Sequence, residues 1–348
     1  MNCIKLDSNE NPFGPSPRAV EALRGVAAAS NLYPDNNITH LTSKLSELHG
    51  VSPESIVVAA GSTAAMELVA RAVLSPGLNA ITSERSFILY PVTTEFAGGK
   101  LIQVPTRDNS FDLEAIAAAV DENTRLIFLA NPNNPTGTMV GAKEIDRFLD
   151  DLPDHVLVML DEAYHEFAQH FARQRGAGAD YADGVRYVKQ GRRVVVLRSF
   201  SKAHGLAGLR IGYGIGSAEF MREVVRMRST FSVSSVAQAA ALAALEDDVH
   251  IQKTLSNNAE QAEFLAQGLA TLGYQVAPTW ANFLFCELSK DKDKDAADLA
   301  QQMQAEGVII RPLGAWGAPN AIRVTIGTPE QNRIFLKVFT KVSGRRRR

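Results

Sequence analysis

A single lysine stands among small and hydroxylated residues directly after an apolar run. The stretch RSFSKAHGLAGLR follows VVVL and places Lys202 beside Ser199 and Ser201, with Arg210 eight residues further on. Small neighbours exclude water from an amine, and nearby cations lower its pKa, which leaves the amine nucleophilic. Hydroxyls and a guanidinium suit a phosphate ester next to such an amine. The alternative is an exposed surface lysine, the usual environment of an isolated one.

A second chemical signal follows the apolar run in SIVVAAGSTAAMELV. A strand leads through Gly61 into a helix that begins near Ser62 and Thr63. Free N–H groups and the positive end of the helix dipole make this junction a natural phosphate site, with two hydroxyls as further donors. Ser and Thr are also preferred helix N-caps, so simple capping is the alternative interpretation.

A third signal is the amide-rich segment after the strand RLIFLA, which reads NPNNPTG. An ordinary turn would use the same residue types. An amide at a strand end can also donate to a ligand oxygen without changing its charge, and Asn134 is the residue we select for that role.

A carboxylate ends the apolar strand of HVLVMLDEAYHEF. Asp161 suits the task of holding a proton on a heteroaromatic nitrogen, and Tyr164 can reach the same ligand. Helix capping is the alternative role for Asp161. The segment HEFAQH resembles a zinc motif, but the spacing of His165 and His170 places them on different helix faces, so we predict no metal.

The elements that must position these groups are short β-branched runs alternating with helical stretches. Apolar runs separated by helices are typical of a largely parallel sheet covered on both faces, and ligands lie beyond the carboxyl ends of such strands. We therefore expect an α/β fold with a large domain over 30–240. A smaller α+β domain comprises 1–29, which includes an N-terminal arm, and 241–344, and a basic tail follows at 345–348.

Composition excludes several classes of protein. The 348 residues include 36 Lys+Arg and 38 Asp+Glu, a net charge of -2 that gives no signal for nucleic acid or an anionic membrane. Cys3 and Cys286 cannot form a disulfide framework. The start is polar and no apolar run reaches membrane-spanning length, so we expect a cytoplasmic enzyme with no nucleic-acid or membrane partner. The glycines of GYGIG do not have the dinucleotide-binding spacing, which argues against a nicotinamide dehydrogenase.

Four strand ends together supply a phosphate site, a carboxylate for a ring nitrogen, donors for a ring oxygen and an amine for an aldehyde. These are the groups that pyridoxal 5'-phosphate requires. The sequence resembles the fold-type I pyridoxal-phosphate aminotransferases, and within them the histidinol-phosphate aminotransferase group, through LDSNENPFGPSP, NLYPD, GSTAAMELV, SFILYP, NPNNPTG, LDEAYHEF, RSFSKAHGLAGLRIGY, SSVAQAAALAAL, WANF, GVIIRP and IRVTIGT.

The resemblance implies roles for individual residues. Lys202 would bond to the cofactor aldehyde and move the proton at the substrate Cα, while Asp161 would pair with the ring nitrogen and Tyr164 would bond the ring hydroxyl. The other cofactor-binding residues would be Gly61, Ser62, Thr63, Phe87, Asn134, Ser199, Ser201, Arg210 and, from a second subunit, Tyr33. Phe87 would stack on the ring, although a core phenylalanine is the alternative.

The contact from Tyr33 implies a homodimer with shared active sites. Arg323 would bind the substrate carboxylate through a bidentate contact, Arg311 a substrate phosphate, and Asn9 another part of the substrate.

The resemblance determines the reaction better than the substrate. A Pro-Tyr-Asn segment typical of the group reads Thr230, Phe231 and Ser232 here, and enzymes for aromatic substrates share the Arg311 segment. L-histidinol phosphate with 2-oxoglutarate is the favoured substrate pair. An aromatic amino-acid aminotransferase and a threonine-phosphate-type decarboxylase remain alternatives.

Overall fold

The computed structural model describes residues 3–176, 180–288 and 295–344, so the basic tail lies outside the described residues. Its strands are β1 (Ile4–Lys5), β2 (Ile56–Ala59), β3 (Asn79–Ser83), β4 (Lys100–Val104), β5 (Thr124–Ala130), β6 (Leu157–Asp161), β7 (Val194–Ser199), β8 (Gly212–Ile215), β9 (Gln275–Val276), β10 (Phe283–Glu287), β11 (Val308–Ile309), β12 (Arg311–Leu313) and β13 (Ala318–Thr325).

The α-helices lie before, between and after these strands. They are α1 (Pro17–Ala27), α2 (Thr39–His49), α3 (Ser62–Val73), α4 (Leu89–Phe96), α5 (Leu113–Ala118), α6 (Ala142–Asp151), α7 (His165–Arg175), α8 (Val185–Lys189), α9 (Ala218–Arg226), α10 (Ser235–Ala244), α11 (Asp248–Thr271), α12 (Ala296–Ala305) and α13 (Pro329–Ser343).

The large sheet has seven strands, and they include the apolar runs of SIVVAAG, RLIFLA, HVLVML and VVVL that precede the four predicted chemical groups. Its order is β2-β8-β7-β6-β5-β3-β4, and β8 runs antiparallel to both of its neighbours, β2 and β7. The connection from β7 to β8 contains a short 3-10 turn, Ala207–Leu209, and no α-helix, whereas parallel neighbours are usually joined through a helix. The α/β fold class and the mostly parallel sheet are confirmed.

A second, antiparallel sheet of order β12-β13-β10-β9 packs with α11, α12 and α13. Its apolar core includes Leu265, Leu269, Phe335 and Phe339. Strand β1 crosses from the N-terminus to pair in parallel with β11, which brings the residues after β1 next to this unit.

The domain boundaries stay a prediction. The packing of α1 bears on them, because residues 1–29 are predicted to belong to the smaller domain. Helix α1 packs on α10, and its Ala19 belongs to an apolar core shared with Val58 of β2 and Tyr213 of β8.

Candidate active site

A cavity of about 490 Å³ lies where the carboxyl ends of the central strands meet the second sheet. The register aligns Ala130 of β5 with Asp161 of β6, and Asp161 with Leu197 of β7. The cavity is lined by thirteen of the residues predicted for the site: Asn9, Ser62, Thr63, Phe87, Asn134, Asp161, Tyr164, Ser199, Ser201, Lys202, Arg210, Arg311 and Arg323. Two predicted residues, Gly61 and Tyr33, do not line it.

The N-terminus of α3 forms an open cradle. The N-cap is Gly61, at φ +94°, and no side chain caps the helix, so Ser62 and Thr63 do not cap it as the alternative interpretation proposed. The Arg210 guanidinium lies over this end of the helix, and a Cβ on Gly61 would stand 2.5 Å from its Nη2. Arg210 also donates to Ser201 Oγ at 3.4 Å. Uncapped amides, hydroxyls and a guanidinium converge on the space that a phosphate needs.

Lys202 lies in the wall of the cavity and is largely shielded from bulk solvent. Its Nζ donates to the Ser8 carbonyl at 3.2 Å and lies 5.9 Å from the centre of the Tyr164 ring. Burial and the nearby charge of Arg323 lower the pKa of Lys202 to about 8. The alternative of an exposed surface lysine is therefore wrong. The lowered pKa means that the amine loses its proton at a lower pH than a free lysine does.

Asp161 ends β6 with both carboxylate oxygens bound by donors. The Tyr90 hydroxyl donates to Oδ2 at 3.2 Å and the Ala163 N–H to Oδ1 at 3.2 Å. Burial raises the pKa of Asp161 to about 6, against the opposing effect of these hydrogen bonds and of Lys202. A carboxylate in this environment can hold a proton on a basic ring nitrogen.

Tyr164 and Asn134 face the cavity from neighbouring strand ends. Asn9 donates its side-chain amide to the Tyr164 oxygen at 2.9 Å, which leaves the Tyr164 proton free to donate to a ligand. Asn134 accepts a hydrogen bond from Arg323 through its Oδ1. Asn9 also accepts from Thr325 at 3.3 Å, so two of its polar contacts position neighbouring side chains.

Asp7, Tyr90 and Trp316 are among the residues in or beside the cavity that the sequence did not predict. Tyr90 lies behind Asp161 and stacks on Phe128, with ring centroids 4.5 Å apart. Asp7 pairs with Arg311 at 2.8 Å, and the Trp316 ring lies 5.7 Å from the Arg323 guanidinium. Periodicity gives no signal for Asp7 or Trp316, because Asp7 follows a two-residue strand and Trp316 lies in a short 3-10 turn.

A buried charge cluster lies next to the cavity, where Glu162, His165 and Asp183 bring possible metal-ligand atoms within 4.8 Å of one another. The Arg198 guanidinium donates to both carboxylates, at 2.8 Å to Glu162. That cation compensates part of the negative charge of the two acids. Burial and Arg198 lower the pKa of His165 to about 3, so the ring is neutral. The absence of a metal stays a prediction.

Comparison with known proteins identifies the family. Residues 1–339 match the model of aminotransferase class I and II. Histidinol-phosphate aminotransferase 2 of Pseudomonas fluorescens Pf-5 is 43% identical over 342 residues, 98% of this chain and 89% of that one. Histidinol-phosphate aminotransferase of Akkermansia muciniphila is 41% identical over 340 residues, covering 97% and 90% of the two chains.

The fold of a solved structure supports the same family assignment. Histidinol-phosphate aminotransferase from Sinorhizobium meliloti, in complex with pyridoxal-5'-phosphate, superposes with a TM-score of 0.88 and 29% identity over 98% of this chain and 91% of that one. The chain therefore belongs to the class I and II aminotransferases and is a pyridoxal-phosphate-dependent transaminase of fold type I. Histidinol-phosphate aminotransferases are among the relatives that it resembles over nearly its whole length.

The residues present fit this cofactor. Gly61 leaves room for Arg210 over the α3 terminus, and Gly212 leaves room for the backbone of Ser62, since a Cβ there would stand 2.3 Å from its nitrogen. The amine of Lys202 and the carboxylate of Asp161 line the same cavity.

Within the described residues, no helix is both long and apolar enough to span a membrane.

Proposed function

We propose that the enzyme transfers the amino group of L-histidinol phosphate to 2-oxoglutarate, in a homodimer with shared active sites. The observation that carries the proposal is that Arg311 and Arg323, direct partners on neighbouring strands, both line the cavity that contains Lys202. Two guanidinia suit a phosphate or carboxylate on the substrate. The named relatives support the choice of donor, and the predicted cytoplasmic location stays a prediction.

The residues that line the cavity have distinct tasks in this proposed reaction. Pyridoxal phosphate, when bound, supplies an aldehyde and an electron-withdrawing ring that makes a substrate Cα–H acidic. The Lys202 amine, whose pKa lies near 8, can accept that proton and return it. Asp161 would hold positive charge at the ring nitrogen, and Tyr164 would donate to the ring oxygen. Arg311 would bind a substrate phosphate and Arg323 a substrate carboxylate, which orients the reacting Cα–H bond toward Lys202.

The surface position of Tyr33 supports an active site that is shared between two subunits. It is 82% exposed and stacks on Phe231 of the same chain, with ring centroids 4.6 Å apart. The Phe231 N–H donates to the Asn36 side chain at 2.8 Å, which ties the two segments together. An ordered aromatic pair at the surface is typical of an interface with another molecule.

An exposed apolar stripe on α4 also supports the proposed homodimer. Ile88, Val92 and Phe96 follow one another at four-residue spacing along α4 and its start, and they are 39%, 40% and 71% exposed. Residues four apart share a helix face, and Ile88 also lines the cavity. A second copy of the chain would bury this stripe beside the active site.

A panel of amino donors tests the reaction. Purified holoenzyme is mixed with L-histidinol phosphate, phenylalanine, tyrosine or aspartate, and the absorbance change of the bound cofactor gives the rate of each half-reaction. We expect the highest kcat/KM with L-histidinol phosphate, and glutamate as product when 2-oxoglutarate is added. Preference for phenylalanine or tyrosine indicates the aromatic aminotransferase, and carbon dioxide release without an acceptor indicates the decarboxylase.

Three variants test the role of Lys202 and the shared sites of the dimer. Lys202→Arg keeps the charge without the nucleophile, so it should bind cofactor without turnover. Tyr33→Phe should weaken cofactor retention, and a hybrid dimer with Lys202→Ala should recover one intact site, formed by Lys202 of one subunit and Tyr33 of the other. A hybrid with no recovered site would show that each chain forms its own complete site.

A further inference from the structure

Arg311 and Arg323 oppose each other across two strands of the antiparallel sheet. Strand β12 pairs with β13, and these two arginines are direct partners in the register. Like charges at directly opposed positions destabilise a strand pair. Both side chains also line the cavity, where water screens their charges less than it would at an open surface. The pair therefore needs a negative group close by.

Asp7 supplies that negative group from the N-terminal segment. Its Oδ2 accepts from Arg311 Nη2 at 2.8 Å, and its backbone carbonyl accepts from Arg323 Nη2 at 2.9 Å and Arg311 Nε at 3.3 Å. Its other carboxylate oxygen, Oδ1, is buried without a hydrogen-bond partner among the described residues. The Asp7 side chain is only 13% exposed, so it depends heavily on Arg311 for compensation.

We propose that the Asp7–Arg311 ion pair sets substrate specificity, by favouring amino donors that carry both an anionic group and a separate side-chain N–H donor. The inference rests on the proposed function, in which Arg311 binds the anion of the substrate. An anion that takes the Arg311 guanidinium leaves the Asp7 carboxylate without a partner. A buried carboxylate without a partner is costly, unless the substrate itself supplies a hydrogen-bond donor.

L-histidinol phosphate has both of the required groups. Its phosphate replaces Asp7 as the partner of Arg311, and its imidazole N–H replaces Arg311 as the partner of Asp7. A donor such as L-glutamate has a second anion but no side-chain N–H, so it replaces only one half of the ion pair. Asp7 therefore acts as a specificity-determining residue of the proposed reaction.

The test is Asp7→Asn, which keeps the shape of the side chain and removes its charge. Half-reactions of the holoenzyme with L-histidinol phosphate and with L-glutamate give a maximal rate and an apparent dissociation constant for each donor. We expect the preference for L-histidinol phosphate to fall at least roughly tenfold, mainly through the dissociation constants. Glu10→Gln is the matched control, since Glu10 carries the same charge on the same segment but pairs with Lys5 at 2.8 Å.

Equal changes for the two donors, or the same change in Glu10→Gln, would overturn the inference. Titration of the holoenzyme with inorganic phosphate by calorimetry provides a second measurement, in which Asp7→Asn should bind roughly tenfold more tightly because Arg311 is free. An unchanged phosphate affinity would also overturn it. Failure of the wild-type enzyme to react with L-histidinol phosphate counts against the proposed function instead, and the phosphate titration still tests the ion pair.

Discussion

The Arg210 guanidinium lies directly over Gly61, so closely that a Cβ at Gly61 would stand 2.5 Å from Nη2. Arg210 itself has a left-handed backbone, at φ +53°, and donates to the Ala207 carbonyl at 3.0 Å. The absent side chain of Gly61 thus lets a cation from the β7–β8 connection reach the N-terminus of α3. This contact links two segments that are far apart in the sequence.

Gly61→Ala should weaken cofactor binding at least roughly tenfold, since the displaced guanidinium loses a charge-assisted hydrogen bond to the phosphate. The measurement is the cofactor dissociation constant by absorbance titration. Gly77→Ala is a matched control, because Gly77 has φ +93° with nothing within 4 Å of its Cβ position. It should lose only about 1–2 kcal/mol of stability from backbone strain. Equal cofactor affinity in the two variants would contradict the prediction.

Tyr90→Phe should shift the acidic limb of the kcat/KM profile to higher pH. The Tyr90 hydroxyl donates to Asp161 and opposes the rise in the Asp161 pKa that burial causes, so its removal raises that pKa further above about 6. The phenylalanine keeps the stacking on Phe128. Tyr187→Phe removes another hydroxyl from a buried tyrosine outside the cavity, and it should leave the profile unchanged.

The Lys202 amine in the cofactor-free protein should titrate near pH 8, well below a free lysine. NMR of the 13C-methylated amine measures this midpoint. Burial is the main cause and Arg323 is the largest charge that adds to it, so Arg323→Gln should raise the pKa. An unchanged midpoint in that variant would show that Arg323 makes no electrostatic contribution to the pKa of Lys202.

Stability should fall as the pH drops from about 6.5 to about 4, because His49 stays neutral in the folded protein. Burial and Arg198 lower its pKa to about 4. The unfolded chain takes up the proton near pH 6.5, so below that value protons favour unfolding, until the folded form is protonated near pH 4. The contribution is at most about 1.4 kcal/mol per pH unit.

Chemical denaturation at several pH values measures this dependence. His49 bonds to the Tyr213 hydroxyl at 3.0 Å and packs against that ring. His49→Phe keeps an aromatic ring at this position and should flatten the loss of stability across that pH range. The same slope in the variant and the wild-type protein would assign the acid sensitivity to other groups.

Local patterns are sufficient to predict the strands of the large sheet and the chemistry at their ends. Buried strands require continuous apolar runs, and parallel strands bring their carboxyl ends to one edge, so the sequence alone groups Asp161, Asn134 and Lys202. It does not predict the reversed direction of β8, since an apolar run carries no sign of its direction in a sheet.

The identity and spacing of residues therefore determined the cofactor, the reaction class and most of the groups that surround the cavity. Only the tertiary structure placed Asp7 between Arg311 and Arg323, and Tyr90 behind Asp161. These contacts join residues that are 71 or more positions apart. Such pairings depend on how the elements pack together, and side-chain periodicity within one element contains no information about its distant neighbours.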